Sequence, residues 1–274
     1  MENEFIPVAV RNNSEGADAK ILARFGEPAW NNPVLRFLDG EETDIVPRRD
    51  RIWSSGDVAA RVVEALAAAR REIPLYMDLA MRELSPHKPQ RATFAMHCFW
   101  EGEVRLGALD GVITTRAGWV GKLEVVEVVF DASRIGYGAL LKKAMEMECA
   151  SKVFVHANSQ KEVVLALAPG LSAPIDGRAK DAKPSDDKYR LKKSPLRFLP
   201  LTPMQATKIN AALGSGQAAH RWLSPAQKGL AKKIEAAIKI KPDAFDHLEP
   251  PSSIDGLAAY EDELVTLLAA LVEK

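Results

Sequence analysis

The sequence predicts a mixed α/β protein of the α+β type, in which two α/β units are followed by a helical region. Short β-branched runs alternate with apolar residues at helical spacing as far as residue 156, and helical patterns predominate toward the C-terminus. The segment 85–89 contains two prolines and breaks this alternation, as a linker would. These patterns divide the chain into a first unit, a connecting helix with its linker, a second unit and a helical C-terminal region, at residues 1–75, 76–90, 91–192 and 193–274.

Composition and charge exclude several classes of protein. Hydrophobic residues make up 47% and charged residues 27% of the 274 residues, which is ordinary for a globular chain. Lysine plus arginine equals aspartate plus glutamate at 37 each, so we expect no nucleic-acid partner. The acidic N-terminus does not resemble a secretion signal, and no apolar stretch approaches the ~20 residues of a membrane span. We therefore expect a cytoplasmic protein with no membrane partner.

The two cysteines, Cys98 and Cys149, lie far apart in the sequence. They are too few for a disulfide framework or for a metal site of the usual cysteine spacing. We therefore expect a reducing compartment, no metal and no organic cofactor.

The first unit shows an alternation of strand and helix signals. Its predicted elements are Phe5–Val10 (strand), Ala17–Phe25 (helix), Pro33–Leu38 (strand), Ile45-Val46 (strand), a helix capped by Ser54 or Ser55, and Ile73–Leu84 (connecting helix). This order resembles the second half of the thioredoxin fold, and Asn32-Pro33 stands where such folds have a cis-proline. The paired cysteines of an active thioredoxin are absent. The resemblance therefore implies a remnant without redox activity, or a chain that lacks an N-terminal portion.

The second unit has the order strand, helix, strand, strand, helix, strand. Its predicted elements are Ala92–His97, Phe99–Leu109, Gly111–Arg116, Leu123–Asp131, Gly136–Met147 and Lys152–His156. This order predicts a split βαβ sheet of the ferredoxin-like kind, with helices on one face. Small, charged and turn residues predict an exposed loop at 173–187. Thr202-Pro203 and Ser224-Pro225 then predict capped helices, which we expect to pack rather than to carry chemistry.

Cys98 stands where a predicted strand ends and a predicted helix begins. The run Thr93–Glu103 is β-like up to the thiol, continues with Phe99 and Trp100, and then becomes helical. Unpaired N–H groups give a helix N-terminus partial positive charge, which favours thiolate over thiol. The sequence therefore predicts a reactive cysteine beside an apolar wall.

An ordered series of motifs begins at this cysteine. The motifs are Cys98-Phe99-Trp100, Glu103, Leu109-Asp110-Gly111-Val112 and Ala117-Gly118-Trp119-Val120-Gly121. The series resembles the active-site segment of the A-type peptide methionine-sulfoxide reductases, with its Gly-Cys-Phe-Trp, Leu-Pro-Gly-Val and Gly-Tyr-x-Gly-Gly motifs. The clear resemblance covers about residues 93–141, and a weaker one extends to residue 190.

The resemblance implies a methionine-sulfoxide-reductase-like domain with the following roles. Cys98 would attack the sulfoxide sulfur and end as a sulfenic acid. Phe99 and Trp100 would form the wall of the pocket for the methyl group. Glu124 would donate a proton to the departing oxygen, and its apolar strand neighbours would keep the carboxyl group protonated.

Several positions depart from the family pattern. Met96 and His97 replace glycines, so His97 either helps to ionise the thiol or fills the space that glycine leaves. Trp119 replaces the loop tyrosine, and its indole N–H donates a hydrogen bond but is no practical acid. Lys122 alone stands in place of a longer loop, which predicts a more open pocket mouth.

A second, weaker motif lies downstream. Asp186-Asp187-Lys188-Tyr189-Arg190 resembles a compressed form of the family's Asp-x-Gly-x-Gln-Tyr-Arg element. The resemblance implies that Tyr189 binds the sulfoxide oxygen and that Asp187, or Asp186, orders the site. A tyrosine on a surface loop is the competing interpretation.

A thiol must then reduce the sulfenic acid. Cys149 is the internal candidate, although a helical stretch precedes it and a small core residue needs no such role. The alternative is an external thiol, such as thioredoxin or glutathione.

Three functions follow from these residues. The first is a thiol-dependent oxidoreductase that reduces methionine-S-sulfoxide, free or in peptides, in protein repair under oxidative stress. The second is a thioredoxin-like redox partner or peroxide sensor, in which Cys98 is oxidised without sulfoxide turnover. The third is a non-catalytic scaffold that kept the fold.

Overall fold

The computed structural model describes residues 3–28, 33–85, 88–174 and 178–272. The fold is mixed α/β, which confirms the predicted class. Contacts within the chain divide it into two compact units, Met1–Ser85 and Pro86–Lys274. The second unit contains both the large sheet and the C-terminal helices. None of the helices in the described part of the chain has the length and apolarity of a membrane span.

The first unit is a β-hairpin packed against helices. Its elements are α1 (Ala17–Arg24), β1 (Val34–Leu38), β2 (Asp44–Asp50), α2 (Ser55–Ala68) and α3 (Leu75–Leu84). The strands pair antiparallel, and Phe37 and Val46 from the strands pack with Leu66 and Met77 from the helices. As predicted, Ser54 caps α2, where its hydroxyl accepts a hydrogen bond from the backbone N–H of Asp57 at 3.0 Å.

The predicted strand at Phe5–Val10 is wrong, because these described residues form no strand. Ile6 is 92% and Val8 73% exposed, so these two apolar side chains cover no sheet face. Pro7, between them, has no backbone N–H for a strand ladder. The predicted cis bond at Asn32-Pro33 lies outside the described residues, and the thioredoxin resemblance stays a prediction.

A partly buried ion cluster links the hairpin of this unit to the segment that follows α1. The carboxylate of Glu27 accepts hydrogen bonds from Arg48 Nε at 2.6 Å and from Arg36 Nε at 3.0 Å. These bonds lower the pKa of Glu27 to about 2, and the bond from Arg48 has the largest effect.

The second unit is built on one large sheet. Its sheet region comprises β3 (Pro89–Ala95), α4 (Phe99–Gly107), β4 (Val112–Val120), β5 (Leu123–Asp131), α5 (Tyr137–Glu146), β6 (Lys152–Val155), α6 (Asn158–Leu167), β7 (Ser172–Pro174) and β8 (Lys180–Asp181). Among the described residues six strands pair in the order β7-β6-β3-β5-β4-β8. The central order β6-β3-β5-β4, antiparallel throughout, is that of a split βαβ unit.

Strand alternation gives this sheet two different faces. Phe94 of β3 and Val126 of β5 point to the main core, where they pack with Leu106 of α4 and Leu140 of α5. Helices α4 and α5 therefore cover one face, as the sequence predicts. The predicted loop at 173–187 needs correction, because β7 and β8 extend the sheet within and beside it.

The C-terminal helices complete the second unit. They are α7 (Tyr189–Lys192), α8 (Pro203–Gly214), α9 (Pro225–Ile240) and α10 (Leu257–Val272), with 3-10 turns at Pro195–Phe198, Ala219–Trp222, Pro242–Phe245 and Ile254–Gly256. Thr202 and Ser224 cap the starts of α8 and α9, as predicted, and each forms a capping box with the glutamine three residues later. Lys208 of α8 is buried, and its Nζ donates to the carbonyls of Gly107 and Leu109 at 2.8 and 2.7 Å. This cation therefore caps the C-terminus of α4.

Candidate active site

Cys98 is the N-cap residue of α4. Strand β3 ends at Ala95, and the backbone N–H of Met96 donates to the carbonyl of Glu124 at 3.0 Å. Cys98 is extended, with φ −142° and ψ 114°, and its carbonyl accepts the hydrogen bond from Gly102 N at 3.1 Å. Its thiol is free of any disulfide and the residue is partly exposed. The strand-to-helix turn therefore places the sulfur at a helix N-terminus.

Glu124 reaches the same helix N-terminus from β5. Its Oε2 accepts a hydrogen bond at 2.8 Å from the backbone N–H of Phe99, the residue directly after Cys98. Its other oxygen, Oε1, has no hydrogen-bond partner within the described residues. The helix start thus fixes one oxygen of this half-buried carboxyl group and leaves the second available.

Four aromatic residues form a continuous wall beside this turn. The Phe99 ring is 4% exposed and meets the Trp119 ring edge-on, with 5.5 Å between the ring centroids. Trp100 lies edge-on to Phe99 at 6.1 Å. Tyr189 stacks on Trp100 at 4.2 Å and 18°. The four aromatic residues that the family resemblance singles out are therefore brought together by the fold.

Asp187 holds the segment before Tyr189 against β4. Its Oδ1 accepts from the backbone N–H of Ala117 at 3.2 Å, and its Oδ2 accepts from Lys188 Nζ at 3.0 Å. Lys188 Nζ also donates to the carbonyl of Thr115 at 2.9 Å. These bonds fix the backbone from which Tyr189 reaches Trp100.

Glu103 belongs to the same network, although sequence reasoning gave it no role. It is fully buried, its Oε1 accepts from Thr115 Oγ1 at 3.1 Å, and its Oε2 accepts from Lys188 N at 2.7 Å. Burial raises the pKa of Glu103. The positive charge of Lys188 opposes this rise, and the negative charge of Asp187 adds to it. A signal was present, because Glu103 lies between Phe99 and Leu106 on the apolar stripe of α4.

His97 and Cys149 differ in their relation to Cys98. His97 is exposed and has no hydrogen bond among the described residues. Cys149 is 2% exposed, and its Sγ donates to the carbonyl of Met147 at 3.4 Å. Arg105 Nη1 donates to that same carbonyl at 2.6 Å, which places Cys149 beside Arg105.

Burial raises the pKa of Cys149 to about 11. Arg105 is about two turns along α4 from Cys98, roughly 10 Å at the usual helical rise. The fold therefore does not bring Cys149 to the helix start that carries Cys98. Among the described residues no three His, Cys, Asp or Glu side chains form a group that could hold a metal ion.

Comparison with known proteins gave similarities to one kind of enzyme. No family model matches the chain. The chain is 28% identical over 108 residues to the peptide methionine sulfoxide reductase MsrA of Methanococcoides burtonii, covering 28% of this chain and 71% of that protein. It is 34% identical over 70 residues to MsrA of Geobacter metallireducens, covering 19% of this chain and 43% of that protein.

A third relative is MsrA of Methanothermobacter thermautotrophicus, 36% identical over 69 residues, covering 19% of this chain and 41% of that protein. The chain thus spans less than half the length of the second and third relatives. These similarities support an MsrA-like family for part of the chain.

Proposed function

We propose that this protein reduces methionine-S-sulfoxide, free or in peptides, to methionine through Cys98. The three relatives carry the name of that activity. The observation that carries the proposal is the hydrogen bond from Phe99 N to Glu124 Oε2 at 2.8 Å. It holds a carboxyl group beside the residue that bears the nucleophile, which is what the reaction requires.

The chemical step transfers one oxygen from the substrate to the protein. The Cys98 thiolate attacks the sulfoxide sulfur, and Oε1 of the Glu124 carboxyl group gives its proton to the sulfoxide oxygen. The sulfur–oxygen bond of the substrate and the transient bond between the two sulfurs then break, and the oxygen ends on Cys98 as a sulfenic acid. The substrate sulfur gains two electrons and leaves as the thioether, while the sulfur of Cys98 loses two.

The aromatic wall explains why the substrate would be a methyl sulfoxide. Phe99 and Trp119 meet edge-on, and Trp100 closes one side against Tyr189. Such a surface favours a small apolar group, and an S-methyl group is small enough to lie against it. The Tyr189 hydroxyl and the Trp119 indole N–H are the donors assigned to the sulfoxide oxygen. Asp187 acts through the backbone that carries Tyr189.

An external thiol, such as thioredoxin or glutathione, regenerates the enzyme. The first thiol displaces water from the sulfenic acid and forms a mixed disulfide, and a second thiol releases Cys98. Cys149 is buried beside Arg105, so an internal disulfide would require the core to open. The partly exposed Cys98 needs no such movement.

The test is steady-state turnover of methionine-S-sulfoxide and of a peptide that contains it, with dithiothreitol as reductant. Cys98→Ser abolishes turnover, and Glu124→Gln lowers kcat by about a hundredfold or more, the usual worth of a general acid. Cys149→Ser is the matched thiol control and retains activity. Peroxide-dependent dimedone labelling of Cys98 without turnover would instead support the peroxide sensor.

A further inference from the structure

A cavity of about 440 Å³ lies against the face of the large sheet that points away from the main core. Glu127 and Arg116 are opposite each other in register and line the cavity. Their neighbours Val126 and Ala117 point to the main core under the helices. Glu124 shares the parity of Val126 on β5, so its strand position faces away from the cavity. Asp187 and Lys188, which hold the segment before Tyr189, also line the cavity.

The lining of this cavity carries a surplus of positive charge. Among the described residues six cationic side chains line it, against three carboxylates: Arg91, Arg116, Arg178, Lys188, Lys192 and Arg197. Part of this charge is already paired, because Arg116 binds Asp181 and Lys188 binds Asp187. A concave surface with unmatched cations concentrates anions.

Glu127 gathers the arginines but does not satisfy them. It is 4% exposed, and its Oε1 lies 2.9 Å from Arg116 Nη2, 3.3 Å from Arg178 Nε and 3.5 Å from Arg91 Nε. Arg178 and Arg91 meet this carboxylate through Nε. Their terminal amino groups have no hydrogen-bond partner within the described residues. Each guanidinium therefore keeps both terminal amino groups free to donate hydrogen bonds to an oxyanion.

Arg116 shows the cost of this arrangement. Burial lowers the pKa of Arg116, and the charges of Arg178 and Arg91 lower it further, while Glu127 raises it. Like charges held together in a partly buried place repel each other, and a bound anion would relieve the repulsion.

The rest of the lining suits an organic molecule. The lining also includes the apolar residues Leu191, Leu199, Leu201 and Pro203. The volume lies within the range of about 300–1,000 Å³ that is usual for small-molecule sites. We propose that this cavity binds a small phosphate ester, with its dianionic phosphate on Arg91 and Arg178 and its apolar body against the leucines.

Phosphate is favoured over carboxylate by charge. A phosphate monoester carries close to two negative charges at neutral pH, which matches more of the surplus than a single carboxylate would. Planar guanidinium groups bind phosphate oxygens through paired N–H donors.

Calorimetric titration of the full chain tests the proposal, with adenosine monophosphate, inorganic phosphate and citrate as probes. We expect adenosine monophosphate to bind more tightly than inorganic phosphate, because only the ester uses the apolar wall. Arg178→Gln and Arg91→Gln each weaken binding about tenfold, the usual effect of losing one charge-assisted contact. Arg197→Gln, at an exposed lining residue that does not touch Glu127, also weakens binding without disturbing the buried cluster.

Arg221→Gln is the matched control, since it removes the same charge from an exposed residue outside the cavity lining and leaves binding unchanged. The proposal is overturned if no phosphate probe binds the wild-type chain. It is also overturned if Arg221→Gln weakens binding as much as Arg178→Gln, or if citrate binds more tightly than the ester. None of these measurements uses sulfoxide turnover, so their outcome does not depend on the proposed activity.

Discussion

Replacing Glu103 with glutamine should change the pH dependence of stability in a defined direction. The side chain is fully buried on α4 and accepts hydrogen bonds from Thr115 Oγ1 and from the backbone N–H of Lys188. Glutamine keeps the shape of the side chain and removes its charge. The variant therefore isolates what the ionisation of this one group contributes to folding.

The magnitude follows from the pKa of the buried carboxyl group. Burial raises the pKa of Glu103 from 4.5 to about 7, so between these values the folded chain holds a proton that the unfolded chain has lost. The free energy of unfolding then falls as pH rises through this window, because the folded state binds more protons than the unfolded state. Across the whole window the free energy of unfolding falls by about 3 kcal/mol, because each tenfold difference in proton affinity between the folded and unfolded states is worth ~1.4 kcal/mol. Glutamine does not titrate and loses this dependence.

Urea unfolding at several pH values between about 5 and 8 measures the effect. The difference in stability between wild type and Glu103→Gln should shrink as pH rises across that window. Glu101→Gln is the matched control, because Glu101 lies on the same helix, exposed and paired with Arg105. A difference that stays constant or grows with pH would refute the reasoning about burial.

Three further predictions concern other parts of the chain. Lys208→Met should destabilise the chain by about 2–3 kcal/mol in urea unfolding, because two carbonyls at the α4 C-terminus lose their charged donor. Lys228→Met, at an exposed lysine, should change stability little. Glu27→Gln should destabilise the first unit by about 2 kcal/mol near neutral pH. The folded pKa of Glu27 is lowered to about 2, so the stability that its charge contributes is complete above pH 4.5 and is lost as pH falls toward 2. Acid unfolding of the wild type and the variant measures this loss. Iodoacetamide at about pH 8 should modify Cys98 and spare Cys149, because burial raises the pKa of Cys149 to about 11. In urea both cysteines should react. Peptide mapping that finds Cys149 labelled in the folded chain would contradict its burial.

The central sheet of the second unit could be predicted from sequence because its signals are local and agree. The strand Leu123–Asp131 has the same bounds in the structure as in the prediction. The Thr202 and Ser224 capping boxes are equally local, since each needs only a hydroxyl and a glutamine three residues later. Patterns of this kind depend on neighbours within one turn or one strand.

The elements that could not be predicted depend on distant partners. Strands β7 and β8 are short, and they exist because β6 and β4 offer free edges to pair with. Residues 5–10 have strand-like composition, but the structure gives them no partner strand. Composition alone cannot distinguish these two situations, because the edge that decides between them is remote in sequence.

The same distinction holds for the candidate site. Cys98 at a helix start and its aromatic neighbours Phe99 and Trp100 follow from one short run of sequence. The bond of Glu103 to Lys188 joins residues 85 positions apart, and no local pattern announces it. The family resemblance supplied Tyr189, whose stacking on Trp100 spans a similar distance.

The most direct test of the proposed chemistry is a single turnover without reductant. The reduced protein is mixed with excess methionine-S-sulfoxide, and the methionine formed is counted while dimedone traps sulfenic acid. We expect close to one methionine for each chain, with the dimedone adduct on Cys98 in the peptide map, and neither product from Cys98→Ser. Methionine formation that persists in Cys98→Ser, or its absence from the wild-type chain, would contradict the proposal that this thiol accepts the sulfoxide oxygen.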